Sequence, residues 1–176
     1  MAGPGIVVHA TAIGLAVDPD GPLCGVCFVG DPGTGKSLTA LEAIAACPYG
    51  RTSLVADDAV VLHQTDTGIT AAAPATASHG AGPAIDYRGN ALLHVNAMPG
   101  GAALPVRFAV ERTHLTASMP NVPTPRTWPP FQERGPTLPL LHVHNGGTLR
   151  LLIRSLLTGH SLLGGFDSVP AGKKYP

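Results

Sequence analysis

Charge is scarce in this chain. Only 12% of its 176 residues are charged, eleven basic against eleven acidic, and the formal net charge is zero with eight histidines counted neutral. No basic stripe stands ready to hold a phosphate backbone, which argues against nucleic acid as the main partner. Long hydrophobic runs are also missing, and no stretch reaches the length of a membrane span. Met1 to Gly5 carries no basic residue ahead of its apolar stretch, so no secretory signal is expected. Cysteine is sparse and odd in number, at three. That is the usage of a reduced, cytoplasmic protein rather than a disulfide scaffold. Cys24 and Cys27 form a C-x-x-C, but no second pair exists to complete a zinc site. On a strand, residues three apart face opposite sides, so both read as small core side chains.

Against these absences stands one run that fits a pattern at every fixed position: Gly30-Asp31-Pro32-Gly33-Thr34-Gly35-Lys36-Ser37. It matches the phosphate-binding loop G-x-x-x-x-G-K-[ST]. Glycines let successive backbone N–H groups turn inward around phosphate oxygens. Lys36 is the residue that reaches the β- and γ-phosphates, and the Ser37 hydroxyl is the Mg²⁺ ligand. The context fits. Leu23 to Val29 is an apolar strand before the loop, and Ser37 to Ala46 reads as a helix after it, with Leu38, Leu41 and Ile44 at helical spacing. That order sets a helix N-terminus under the phosphates.

The length suits one domain with a real core. Residues 1–166 read as that domain and residues 167–176 as a frayed tail. Ile6 to Val17 is strand-like, and Asp18-Pro19-Asp20-Gly21-Pro22 is a turn, so two strands form a hairpin feeding the loop. Pro48 and Gly50 stop the helix. Ser53 to Ala56 is a strand, Ala59 to His63 is extended, and Gln64 to Gly68 is a turn. Ala71 to Pro83 reads as a loop rich in small residues. Strands follow at Ala91 to Val95 and Val106 to Val110. Asn121 to Pro139 holds six prolines and cannot be a helix or a central strand. Leu140 to His144 is extended, and Thr148 to Leu157 is a second helix.

Asp57-Asp58 is the second chemical signal. An acidic residue at the end of an apolar strand, downstream of such a loop, handles Mg²⁺ or its water. A second, adjacent carboxylate can take the proton of an incoming hydroxyl. His142 and His144 share a face of a strand, yet no third ligand is identifiable, so they read as structural or surface residues. Trp128, among prolines, reads as a loop anchor.

The order His9, then Gly-Asp-Pro-Gly-Thr-Gly-Lys-Ser at 30–37, Leu-Val-Ala-Asp-Asp at 54–58 and Asp-Tyr-Arg-Gly at 86–89 resembles the catalytic domain of the HPr kinase/phosphorylase family. Thr39-Ala40-Leu41-Glu42 adds to the likeness, which is strongest from Val7 to Val95. The resemblance implies an α/β phosphate-loop kinase domain with a mixed sheet and a phosphoenolpyruvate-carboxykinase-like architecture. It implies that Gly30 to Ser37 bind ATP and that Ser37, Asp57 and Asp86 serve Mg²⁺. Asp58 is implied as the acid/base, with Lys36, His9 and an arginine beside it. Arg126 resembles that arginine, and Arg134 competes for the place. The implied acceptor is a serine of the phosphocarrier protein HPr or a relative, and self-association is implied too.

The chain departs from the family pattern in several places. The resemblance is to the short members, in which the family's N-terminal domain is expected to be absent. Pro32 replaces the usual loop serine, Leu38 replaces a frequent acidic residue, and Asp86 stands where Glu is usual. The P-G-R-N segment tied to dephosphorylation has no counterpart, so phosphorylase activity is expected to be weak or absent. Two other readings stay open at this point. One is a phosphate-loop kinase or ATPase with another acceptor. The other is a regulatory module that senses ATP without transferring its phosphoryl group.

Overall fold

The computed structural model describes residues 5–75, 84–87, 91–98, 102–113, 126–131 and 135–158. β1 (Ile6–Val8), β2 (Thr11–Ala16), β3 (Leu23–Val29) and α1 (Lys36–Ala45) come first, followed by β4 (Ser53–Ala56), β5 (Val60–Thr65) and β6 (Gly68–Ala72). β7 (Ala84–Tyr87), β8 (Ala91–His94), β9 (Leu104–Arg112), β10 (Arg126–Trp128), β11 (Leu138–Val143) and α2 (Leu149–Leu157) complete the order. Among the described residues nine strands form one mixed sheet, and β7 and β8 make a separate hairpin.

The sheet is built around β3 and β9, which run parallel with Val29 opposite Glu111. β2 pairs antiparallel with β3, as the hairpin reading requires, and β4 lies antiparallel beyond β2. The other edge of β9 is shared. β6 pairs with Leu104 to Val106, and β11 runs parallel to Ala109 to Arg112. β5 and β1 extend the first branch, and β10 closes the second.

Two faces alternate along each strand and fill two cores. Ile13, Leu15, Cys24, Val26, Phe28, Phe108 and Val110 face the helices. Ala10, Ala12, Cys27, Val29, Val106 and Ala109 face the opposite side, with Val60 and Leu62. Phe28 and Phe108 are 1% and 2% exposed, and such burial stabilises by about 1.5–3 kcal/mol for each side chain. Cys24 and Cys27 divide between the two cores, as the strand period demands, and both thiols are free.

Several elements differ from the sequence reading. Ile6 to Val17 is not one strand, because it breaks at His9 and Ala10 and changes partner from β5 to β3 and β4. Ala71 and Ala72 belong to β6, not to a loop, because their neighbours Ile69 and Ala71 have a core to fill. The rest of that loop, 76–83, lies outside the described residues, as does the tail from 159. The buried stripe of α1 is Lys36, Thr39, Ala40 and Ala43. Leu41 and Ile44 only flank it. Small side chains are needed there because another segment presses against the helix. A Cβ on Gly146 would fall 1.9 Å from the Thr39 carbonyl oxygen. Pro139 is accepted within β11 because its pairing with β9 begins only at Leu140.

Candidate active site

β3 is buried along nearly its whole length and delivers the chain to Gly30 at the carboxyl end of the parallel pair. The loop then turns on three glycines of positive φ, Gly30 at 126°, Gly33 at 82° and Gly35 at 91°. These are backbone states that side chains with a Cβ rarely adopt. Gly35 caps α1 in the left-handed region. The Thr34 hydroxyl donates to the Asp31 carbonyl at 2.8 Å, and the Thr39 hydroxyl donates to the Gly35 carbonyl at 2.9 Å. Lys36 is only 7% exposed. Its Nζ donates to the carbonyls of Gly30 and Asp31, each at 3.0 Å, so the lysine straps the loop. Burial pushes the Lys36 ammonium below its usual range, while the negative charges of Asp58, Asp31 and Asp57 push it back up.

β4 brings two carboxylates to the same end of the sheet. Asp57 follows its last residue and accepts from the Ser37 hydroxyl at 2.8 Å through Oδ1. The same oxygen accepts from the Thr11 hydroxyl at 2.6 Å. Asp58 is exposed and is the one non-glycine residue of positive φ among those described, at 63°. The Ala59 N–H donates to the Asp57 carbonyl at 2.8 Å, which closes a three-residue γ-turn around Asp58. His9 stands in the break between β1 and β2, and its Nδ1 donates to the Asp58 carbonyl at 3.0 Å.

These groups surround a cleft of about 270 Å³ lined by His9, Lys36, Ser37, Asp57 and Asp58. Pro32, Gly33, Gly35, Leu38 and Ile85 supply the remaining walls. Gly30, Asp31 and Thr34 shape the loop from behind and are not among the lining residues. Asp86 follows the cleft residue Ile85 on β7, and its backbone faces Leu92 of β8. Arg88, Gly89 and Arg134 lie outside the described residues.

Arg126 is described, and the structure does not bring it to the cleft. It is exposed on β10 opposite Leu140, which is itself opposite Ala109. Three strand spacings separate it from β3, roughly 14 Å. His142 faces Glu111, with Nδ1 3.4 Å from Oε2, and His144 Nδ1 donates to the Thr113 carbonyl at 3.0 Å. Among the described residues no group of three or more His, Cys, Asp or Glu side chains could hold a metal. Trp128 packs against the second core.

Sequence reasoning missed three supports. Thr11 is the first; its signal is a polar residue opening a strand that is buried throughout. Arg112 and Glu42 are the others. Arg112 Nη1 approaches Thr39 Oγ1 at 3.3 Å and Glu42 Oε1 at 3.4 Å, and the Gly146 N–H donates to Glu42 at 2.7 Å. A Cβ on Gly35 would lie 3.0 Å from Arg112 Cδ. The end of β9 thus braces the loop from behind.

The donor set suits a hard cation. The Ser37 hydroxyl and the Asp57 carboxylate are adjacent oxygen donors, and Mg²⁺ is commonly held by so few protein ligands, with phosphates and water completing its shell. The positive-φ glycines and the buried ammonium suit polyphosphate.

A mixed sheet crossed by helices, with a glycine loop joining a buried strand to a helix beside paired aspartates, defines the class: an α/β fold whose cleft opens at the carboxyl end of its parallel strands. That fold is shared with the structure of the HPr(Ser) kinase/phosphatase from Coxiella burnetii, at a TM-score of 0.59 and 21% identity over 88% of this chain and 95% of that one. No family model and no curated protein matches the sequence.

Proposed function

We propose that this chain is an ATP-dependent protein serine kinase that phosphorylates the phosphocarrier protein HPr or a relative. One observation carries the reading. The loop serine and the first aspartate share a hydrogen bond of 2.8 Å, and the second aspartate stands exposed at the rim of the same cleft. A nucleotide module would need the first pair; an exposed carboxylate beside it suits a hydroxyl acceptor arriving from solution.

In this proposal the loop 30–37 cradles the phosphates of ATP, and Lys36 turns its charge to them. Ser37 and Asp57 hold Mg²⁺, with Asp86 as a further carboxylate. When bound, Mg²⁺ supplies charge neutralisation on the phosphates. Asp58 accepts the proton of the serine hydroxyl as it attacks. His9, which lines the cleft, holds the Asp58 turn through Nδ1. The likeness to a protein described as an HPr(Ser) kinase/phosphatase supports the acceptor class.

Intact-mass spectrometry of HPr incubated with this protein and Mg-ATP tests the proposal. One added phosphoryl group on serine, lost with Asp58→Asn, is the expected result. Unmodified HPr with nucleotide still bound would sink this acceptor and leave another acceptor or a sensing module.

A further inference from the structure

Thr11 is a polar side chain on a strand buried from end to end, and it is itself 1% exposed. Its position is set by the sheet. Ala12 pairs with Ala56 across β2 and β4, and a register shift follows between Ala12 and Ile13. Thr11 is therefore carried opposite the residue after β4, which is Asp57. Alternation puts Thr11 on the same face as Ile13 and Leu15, the face that α1 covers. Its hydroxyl donates to Asp57 Oδ1 at 2.6 Å and lies 3.4 Å from Ser37 Oγ.

Asp57 Oδ1 thus receives two hydroxyl donors from different elements, Ser37 at the start of α1 and Thr11 on β2. Two donors on one oxygen fix the plane of the carboxylate. The second oxygen is thereby aimed in one direction, without a rotamer search when a ligand arrives. Thr11 is too deeply buried to meet a substrate, so its effect passes through Asp57.

We infer that Thr11 is a positioning residue for cation binding: its hydroxyl holds the Asp57 carboxylate in the orientation that takes Mg²⁺ beside a bound nucleotide. This rests on the reading of the cleft as a Mg-nucleotide site. Groups that orient a metal ligand from behind typically govern metal affinity by 10–100-fold.

The test uses fluorescent N-methylanthraniloyl-ADP, with its affinity measured in EDTA and across a Mg²⁺ titration. Thr11→Val keeps the branched shape and removes the hydroxyl. It is expected to bind the nucleotide in EDTA as the wild type does, and to lose roughly tenfold or more of the gain that Mg²⁺ confers. Thr11→Ser restores the gain, and Thr11→Ala, which adds no bulk, repeats the loss. A Thr11→Val protein with the full wild-type Mg²⁺ gain overturns the inference. So does an equal loss of affinity in EDTA for Thr11→Val and Thr11→Ser together with a lowered melting temperature, because that marks a purely structural role. A wild-type protein that binds the nucleotide in neither condition overturns the underlying site reading instead.

Discussion

His9 and Asp58, forty-nine residues apart, meet ring to backbone: the imidazole Nδ1 donates to the Asp58 carbonyl at 3.0 Å. A carbonyl oxygen only accepts, so Nδ1 carries the proton, and in the neutral ring Nε2 is left as an acceptor. Two effects of this contact can be separated. His9→Asn keeps an amide donor near the Nδ1 position and loses Nε2. His9→Ala loses both and is expected to destabilise by about 1 kcal/mol, with Asn close to the wild type. If the proposed kinase reading holds, both variants lose phosphoryl transfer by about a hundredfold. Urea denaturation and initial rates check the two effects. A His9→Asn protein with full activity would remove Nε2 from the chemistry.

The positive φ of Asp58, 63°, carries a cost in stability. The left-handed region costs a side chain roughly 1–2 kcal/mol, less for Asp, and glycine escapes it at some expense in unfolded-chain entropy. Asp58→Gly is expected to raise stability by about 0.5 kcal/mol and to abolish transfer. Asp58→Ala, which keeps the strain and loses the carboxylate, is expected to lower both. Thermal melts of the two variants decide the matter, and a fall in melting temperature for Asp58→Gly would contradict the strain argument.

Gly146 touches the backbone of α1, with a built Cβ 1.9 Å from the Thr39 oxygen and 2.7 Å from the Ala43 nitrogen. Backbone cannot move aside as a side chain can. Gly146→Ala is expected to cost about 3 kcal/mol and to separate Glu42 from the Gly146 N–H. Gly147→Ala, whose nearest atom is the Asn145 side-chain oxygen at 3.2 Å, is expected to cost far less. Chemical denaturation of the pair compares them directly.

Cys47 differs from the other two thiols. Burial pushes it up, but hydrogen bonds from the Thr52 side chain and from the backbone of Thr52, Tyr49 and Arg51 outweigh this and bring it down to about 7. Cys24 and Cys27 are pushed up to about 12 by burial. Only the thiolate reacts. Alkylation by iodoacetamide is therefore expected at Cys47 alone, with a rate that climbs as pH rises through about 7 and then levels. The depressed thiol also adds stability that is fully present above the unfolded value of 9.0 and is lost as pH falls through about 7. Peptide mapping across pH 6–9 checks the first point. A midpoint near 9 would show that those hydrogen bonds do not form in solution.

Local chemistry was legible wherever it was written in neighbouring residues. Leu23 to Val29 and Ser53 to Ala56 stand in the structure with the bounds their apolar runs suggest. Lys36, Ser37, Asp57, Asp58 and His9 meet in one cleft. Partner choice was not legible. His9 and Ala10 carry no breaker, and the chain divides there because β1 joins β5 while β2 joins β3 and β4. The helix stripe was misjudged because leucine and isoleucine outweigh alanine in any apolar count, although only small residues fit beneath Gly146. Arg126 stood at a suitable distance along the chain, but distance along the chain does not say which edge of a sheet a short strand will take. Thr11 left a trace, a lone hydroxyl on a buried strand, whose meaning depends on a register shift that no pattern encodes.

Every described residue that lines the cleft falls between His9 and Ile85, and among the described residues that follow, Arg112 at the end of β9 and Gly146 beyond β11 brace the loop and α1 from behind. The chain therefore has a division of labour along its length. Among the described residues the first stretch carries the polar groups of the cleft, and the strands after residue 103 support it. Among the described residues, substitutions that preserve volume and backbone contacts should be absorbed after residue 103, whereas the cleft residues are intolerant of changes in chemical type even where the volume is kept. Two proteins of this fold could come to differ in much of that supporting region and still keep the same cleft.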